Sequence, residues 1–146
     1  GAVGVAAHEA GHAVQYAVGY APIKLRTAII PVTSFGSQAA MPLFLIGLII
    51  SAYSTTASSL GYTLMMTGII FFSLAVLFQV ITLPVEFNAS RRALAALEGS
   101  GMLGREELSA SGKVLRAAAL TYVAALAVAL LNLLRLILIA TGGRRR

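Results

Sequence analysis

The sequence of 146 residues contains no cysteine, and charged residues make up only 11% of it. Without cysteine the chain can form neither disulfides nor thiolate–metal bonds, and its composition leaves the redox compartment undecided. A soluble domain carries about 25% charged residues. The shortage of charge, together with 58% hydrophobic residues and a mean hydropathy of +0.87, therefore predicts a membrane protein.

Tryptophan is also absent, and aromatic residues make up only 8% of a chain whose net charge is +6. The basic residues are scattered beside apolar segments and end in the run 144–146. A nucleic-acid-binding surface explains this pattern poorly. We instead attribute the positive charge to membrane flanks and anionic headgroups, so the expected partners include the lipid bilayer and no nucleic acid.

Aspartate is missing, and the chain has only two histidines and five glutamates. Both histidines and one glutamate lie in His8-Glu9-Ala10-Gly11-His12, which fits the H-E-x-x-H pattern. Histidines four apart share one face of a helix, so His8 and His12 can hold one Zn²⁺ ion. Glu9 then stands where it can act as general base on a water molecule. Two unrelated core histidines are the structural alternative, and their coincidence with Glu9 argues against it.

A third metal ligand from this chain must be a glutamate, because no further histidine, cysteine or aspartate exists. The longer metzincin spacing would place its third histidine at Val18, so that arrangement fails. Topology favours Glu86, the first acidic residue after a predicted membrane hairpin, over Glu98, Glu106 and Glu107. The absence of aspartate argues against an intramembrane protease of the site-2 type, which takes its last ligand from an aspartate on another span.

The predicted fold class is an all-α membrane protein, with the H-E-x-x-H helix at the membrane surface and about three transmembrane helices. We expect one membrane-embedded domain over 1–146. Spans at 42–59 and 62–83 would form a hairpin that turns near Gly61, and a re-entrant helix is the alternative for 42–59. Pro84 would end the second span or start a new helix. The glycine-containing stretches 19–22 and 99–101 should end helices, and Glu106 and Glu107 should open another that continues into the third span. Residues 1–41 comprise the metal helix (1–18) and a surface loop with an extended piece over 25–32. The membrane hairpin follows at 42–83, and the helices that carry the third ligand follow at 84–116. A last span is expected at 117–141, followed by a basic tail at 142–146.

Three stretches carry a family resemblance. They read His-Glu-Ala-Gly-His-Ala-Val-Gln at 8–15, Leu-Pro-Val-Glu-Phe-Asn-Ala-Ser-Arg-Arg-Ala at 83–93 and Lys-Val-Leu-Arg-Ala-Ala-Ala-Leu-Thr-Tyr-Val-Ala-Ala at 113–125. The chain resembles the bacterial membrane-bound neutral zinc metallopeptidases, the YugP-like family. The resemblance implies a gluzincin-like site with His8, His12 and Glu86 as zinc ligands and Glu9 as base. More distantly, 86–90 is similar to the Glu-x-x-Ala-Asp motif of the CAAX prenyl proteases, with Ser90 in place of the aspartate.

The function expected from these residues is a membrane-bound zinc metallopeptidase acting on peptides or proteins, membrane proteins included. Tyr16, Tyr20, an arginine or the metal itself could stabilise the oxyanion. A non-catalytic membrane scaffold with a vestigial zinc site is the alternative from another class. We expect a multi-pass protein of the bacterial inner membrane, with the site on the cytoplasmic side because seven basic residues lie on that face and three on the other. The resemblance implies that members of this family begin earlier than this chain, so we expect that a segment upstream of Gly1 is missing.

Overall fold

The computed structural model describes residues 2–142, which form four α-helices and contain no strand. These are α1 (Ala2–Ala17), α2 (Ala21–Tyr53), α3 (Ser58–Ser100) and α4 (Arg105–Gly142). By length and composition, α2, α3 and α4 could each cross a membrane. The prediction of an all-α chain with about three membrane-spanning helices is confirmed. Residues 143–146 of the predicted basic tail lie outside the described residues, as does Gly1.

Two helix ends lie at glycines with a left-handed backbone. Gly19 follows α1 with φ of 67°, and Gly101 follows α3 with φ of 63°. Residues with a Cβ rarely adopt this conformation, so glycine at these positions stops a helix and turns the chain. The predicted stops at 19–22 and 99–101 are therefore confirmed, as is the helix that starts beside Glu106 and continues into the third candidate span.

The predicted surface loop over 23–41, with its extended piece at 25–32, is wrong, because α2 is helical from Ala21 onward. Pro31 and Pro42 lie inside α2. Proline and β-branched residues disfavour helix in water, but a long apolar helix tolerates them when nearby hydroxyls satisfy backbone groups.

Two other predicted breaks are also wrong. The turn between α2 and α3 lies at 54–57, and Gly61 is already within α3. Pro84 neither ends a helix nor starts one, because α3 continues through it to Ser100. A proline inside a helix removes one backbone hydrogen bond and tends to bend the helix, and Pro84 lies on an exposed side of α3.

The structure divides into two compact units. Unit 1 is Gly1–Ala28 with Gln79–Ala125, and unit 2 is Ile29–Phe78 with Leu126–Arg146. In unit 2, α2 and α3 pack as an antiparallel pair at glycines: a Cβ on Gly68 would lie 2.6 Å from the Ala40 carbonyl oxygen, and one on Gly47 would lie 2.5 Å from that of Gly61. Small residues at such contacts let helix backbones approach in an apolar medium. The core of this unit comprises Phe44, Met65, Ile69, Leu136 and Ala140.

In unit 1, one side of α1 packs against one side of α3. The buried residues of α1 are Gly4, Gly11 and Gln15, which recur at helical spacing. A Cβ on Gly11 would clash with the carbonyl oxygen of Ala89, so only glycine allows this approach. The glycine inside the H-E-x-x-H pentapeptide thus sets the distance between α1 and the part of α3 that begins after Pro84.

Candidate metal centre

His8, His12 and Glu86 meet where α1 packs on α3. His8 Nε2 lies 3.1 Å from Glu86 Oε2, and His12 Nε2 lies 3.6 Å from the same oxygen. The two imidazole rings are 4.7 Å apart and nearly perpendicular. All three ligand atoms lie within 4.8 Å of one another. The carboxylate is 1% exposed, and both histidines are partly exposed. The structure therefore brings together the three residues that the sequence indicated.

The other glutamates are placed differently. Glu9 is exposed on α1, next in sequence to His8. Glu98 is exposed near the end of α3. Glu107 Oε2 accepts the Gly104 N–H at 3.0 Å at the start of α4, which is the usual role of an acidic residue there. Within residues 2–142, Glu86 is the one glutamate that joins the histidines in a group able to hold a metal ion.

Arg26 neutralises the buried carboxylate from α2. Its Nη1 lies 2.9 Å from Glu86 Oε1, the oxygen turned away from the histidines. The contact is an ion pair rather than an aligned hydrogen bond, because Glu86 Oε1 accepts no well-directed hydrogen bond within the described part of the chain. A buried charge is tolerated when it is paired. Since Arg26 occupies Oε1, Oε2 is the oxygen left to face a metal ion.

Each histidine has a polar partner behind its ring. His12 Nδ1 lies 2.9 Å from Gln15 Oε1, and His8 Nδ1 lies 3.3 Å from Ser90 Oγ. Metal-binding histidines generally make such a contact through the ring nitrogen that does not face the metal. Ser90, which stands where the Glu-x-x-Ala-Asp motif has its aspartate, thus reaches His8 through a longer and uncharged contact.

Tyr16 and Tyr20 are the tyrosines predicted to lie near the site. Tyr16 is exposed, and its hydroxyl lies 2.6 Å from Thr27 Oγ1. Tyr122, on α4, is in electrostatic range of Glu86, Glu9 and Arg26. It is also 39% exposed, so its hydroxyl is accessible beside the histidine–glutamate cluster.

Sequence reasoning missed Gln15, Arg26 and Tyr122. Gln15 carried a usable signal, because it follows His12 by three residues and so continues the same helix face. Arg26 and Tyr122 carried none, since each reaches Glu86 from a different helix.

The donor set fits a zinc ion. Two imidazole nitrogens and one carboxylate oxygen are ligands that Zn²⁺ uses in hydrolytic sites, with a fourth position left for water. The three donors belong to two helices packed through Gly11, and the carboxylate already has one oxygen directed at both rings. The site needs only small side-chain adjustments to close around an ion.

The chain is similar to known proteins over nearly its whole length. The chain is 46% identical over 143 residues to "Putative membrane protease YugP" of Bacillus subtilis (strain 168), covering 98% of the chain and 60% of that relative. The chain thus spans about three-fifths of the length of the curated relative it matches. No solved structure matches it significantly. A family model described as "Putative neutral zinc metallopeptidase" matches residues 1–141. With nearly its whole length matched, the chain belongs to that zinc metallopeptidase family.

Proposed function

We propose that the protein is a membrane-bound zinc peptidase in which His8, His12 and Glu86 bind Zn²⁺ and Glu9 is the catalytic base. The observation that carries this proposal is the convergence of His8 Nε2 and His12 Nε2 on Glu86 Oε2, with Glu9 beside the cluster. The match to a zinc metallopeptidase family over residues 1–141 supports zinc binding and peptide hydrolysis.

Different residues of the chain have different roles in the proposed hydrolysis. A bound Zn²⁺ ion supplies Lewis acidity, which activates water and polarises the peptide carbonyl. Glu9, exposed toward solvent, accepts a proton from the attacking water and passes it to the nitrogen of the leaving amine. Water oxygen thus joins the carbonyl carbon, and the C–N bond breaks to release an acid and an amine. Arg26 pairs with Glu86 Oε1 and so orients the carboxylate.

Tyr122 is the residue we assign to the oxyanion that develops on the carbonyl oxygen. A donor must be aimed at this oxygen from the protein side. Tyr122 is in electrostatic range of both Glu86 and Glu9, the proposed ligand and the proposed base. Tyr16 instead has its hydroxyl against Thr27, and Arg26 is held by Glu86.

Glu9→Gln tests the proposal directly. The variant should keep its zinc, measured by metal analysis of the purified protein, and should lose cleavage of fluorescein-labelled casein by about 100- to 10,000-fold. Glu98→Gln is the matched control, since Glu98 is exposed outside the histidine–glutamate group, and it should keep both properties. Equal cleavage by Glu9→Gln and the wild type would remove the catalytic role of Glu9. Zinc without cleavage in the wild type would favour a non-catalytic scaffold.

We further propose a multi-pass location in the bacterial inner membrane, with the metal centre facing the cytoplasm. Seven basic residues of unit 1 support this side, since cytoplasmic flanks are enriched in them; they are Lys24, Arg26, Arg91, Arg92, Arg105, Lys113 and Arg116. The chain has no cysteine, so single reporters can be introduced cleanly. In intact cells, a membrane-impermeant thiol reagent should label the Thr56→Cys variant and should fail to label the Ser100→Cys variant. The opposite pattern would place the site outside.

A further inference from the structure

Gln15 is completely enclosed on α1, with 0% of its surface exposed. A buried amide is tolerated only when its donors and its acceptor find partners inside the protein. Gln15 Nε2 donates to the Val85 carbonyl at 2.8 Å and to Asn88 Oδ1 at 3.0 Å. Its Oε1 lies 2.9 Å from His12 Nδ1. Every polar atom of this side chain is therefore used, and each partner belongs to the metal centre or its flanks.

The amide can point in only one direction. A backbone carbonyl accepts hydrogen bonds and never donates them, so the nitrogen of Gln15 must face Val85. The second acceptor, Asn88 Oδ1, is fixed in turn because it also accepts Arg92 Nε–H at 2.8 Å, and arginine is always a donor. The oxygen of Gln15 must then face His12.

This orientation selects one tautomer of His12. An amide oxygen only accepts, so the neutral His12 ring must carry its proton on Nδ1. Nε2 then presents a lone pair, and Nε2 is the atom that faces Glu86 Oε2 at 3.6 Å. That separation is too long for a hydrogen bond, as expected for two acceptors facing each other.

His8 differs, because no protein group within residues 2–142 fixes the state of its Nδ1, the nitrogen that faces away from Glu86. Its Nε2 lies 3.1 Å from Glu86 Oε2, a distance at which an Nε2 proton is donated to the carboxylate. Its Nδ1 faces Ser90 Oγ at 3.3 Å. A hydroxyl both donates and accepts, so Ser90 accommodates either tautomer of His8.

We propose that Gln15 is a positioning residue of the metal centre, which holds His12 in the Nδ1–H tautomer and ties it to the turn of α3 that carries Glu86. Val85 and Asn88 lie on either side of Glu86 in sequence. The Gln15 side chain therefore fixes both the tautomer of His12 and the position of Glu86. The proposal rests on the proposed function insofar as His12 is a zinc ligand, but the tautomer follows from the contacts alone.

The first test is the tautomer of His12 in the metal-free wild-type protein, read from side-chain ¹⁵N chemical shifts of the full chain in detergent micelles. Only two histidines contribute signals, which makes assignment direct. At a pH where the His12 ring is neutral, we expect it to be protonated at Nδ1 alone. Protonation at Nε2, or a rapidly averaging mixture, would overturn the proposal without any variant having to fold.

The second test is zinc affinity, measured by chelator competition on Gln15→Leu. Losing an outer hydrogen bond of this kind should raise the zinc Kd by about 10- to 100-fold. Gln38→Leu is the matched control, because Gln38 is exposed and bonds only to Ser34 within its own helix; its zinc Kd should equal that of the wild type. A Gln15→Leu protein with unchanged zinc Kd would refute the role of Gln15. Wild-type protein without zinc binding would instead refute the proposed function, and the tautomer measurement would still stand.

Discussion

Replacing Gly11 with alanine should weaken metal binding, because α1 approaches the backbone of α3 at this position. A Cβ on Gly11 would lie 3.1 Å from the carbonyl carbon of Ala89 and 3.3 Å from its Cα, and nearer still to the carbonyl oxygen. Backbone atoms cannot move aside as the end of a long side chain can. The two helices would therefore have to separate by roughly 1 Å to restore ordinary contacts.

The expected effects on folding and on metal binding differ in size. Overpacking of this kind costs about 1–3 kcal/mol, whereas the better helix propensity of alanine offsets about 1 kcal/mol. The free energy of unfolding should thus fall by at most about 2 kcal/mol. Zinc–ligand distances tolerate deviations of only about 0.2 Å. Because His8 and His12 lie on α1 and Glu86 on α3, the separation should remove one ligand, and zinc affinity should fall by more than about 100-fold.

Gly4→Ala is the matched control for this experiment. Gly4 is buried on the same helix, but a Cβ there would meet Val114 Cγ1 at 3.6 Å, an ordinary contact. This variant should bind zinc like the wild type and unfold at slightly higher denaturant, since alanine is favoured by up to about 1 kcal/mol. Chelator competition gives the affinities and denaturant titration the stabilities. If Gly11→Ala bound zinc as tightly as Gly4→Ala, the helix spacing would not control the metal centre.

Three further outcomes are expected. Zinc should be lost from Glu86→Ala and retained in Glu98→Ala, because Glu86 alone of the two meets the histidines; equal zinc contents would exclude Glu86 as third ligand. Tyr122→Phe should lower kcat by about 100-fold with KM and zinc content unchanged, whereas a rise in KM alone would assign the hydroxyl to substrate binding. Gly68→Val should destabilise unit 2 by about 1–3 kcal/mol, because its Cβ would lie 2.6 Å from the Ala40 carbonyl oxygen; an unchanged midpoint in denaturant would contradict this.

The features predicted well from the sequence are those that one helix or one residue type determines. The ends of α1 and α3 followed from single glycines, and the membrane character followed from composition. Elimination narrowed the third ligand to a glutamate, because the chain offers so few residues able to bind a metal, and the predicted hairpin then favoured Glu86. The structure brings that glutamate to both histidines, although zinc binding by them stays a prediction.

The segment 23–41 was mispredicted because its local signals describe behaviour in water. Pro31, Gly36 and several β-branched residues would interrupt a solvated helix, whereas an unpaired backbone group in an apolar medium costs several kcal/mol. The same argument explains why α3 continues through Pro84. The contacts of Arg26 and Tyr122 with Glu86 could not be predicted, because they depend on how separate helices pack rather than on spacing within one.

The ion pair between Arg26 and Glu86 has a consequence for the order in which the protein matures. Breaking a buried ion pair costs about 3–5 kcal/mol, because one charge is left uncompensated. In many small metalloproteins the metal provides that compensation, so the chain stays unfolded until the ion binds. Here the counter-ion of Glu86 is part of the chain. We therefore expect the helices to fold and insert before any metal ion binds, and to stay packed if a bound ion is removed.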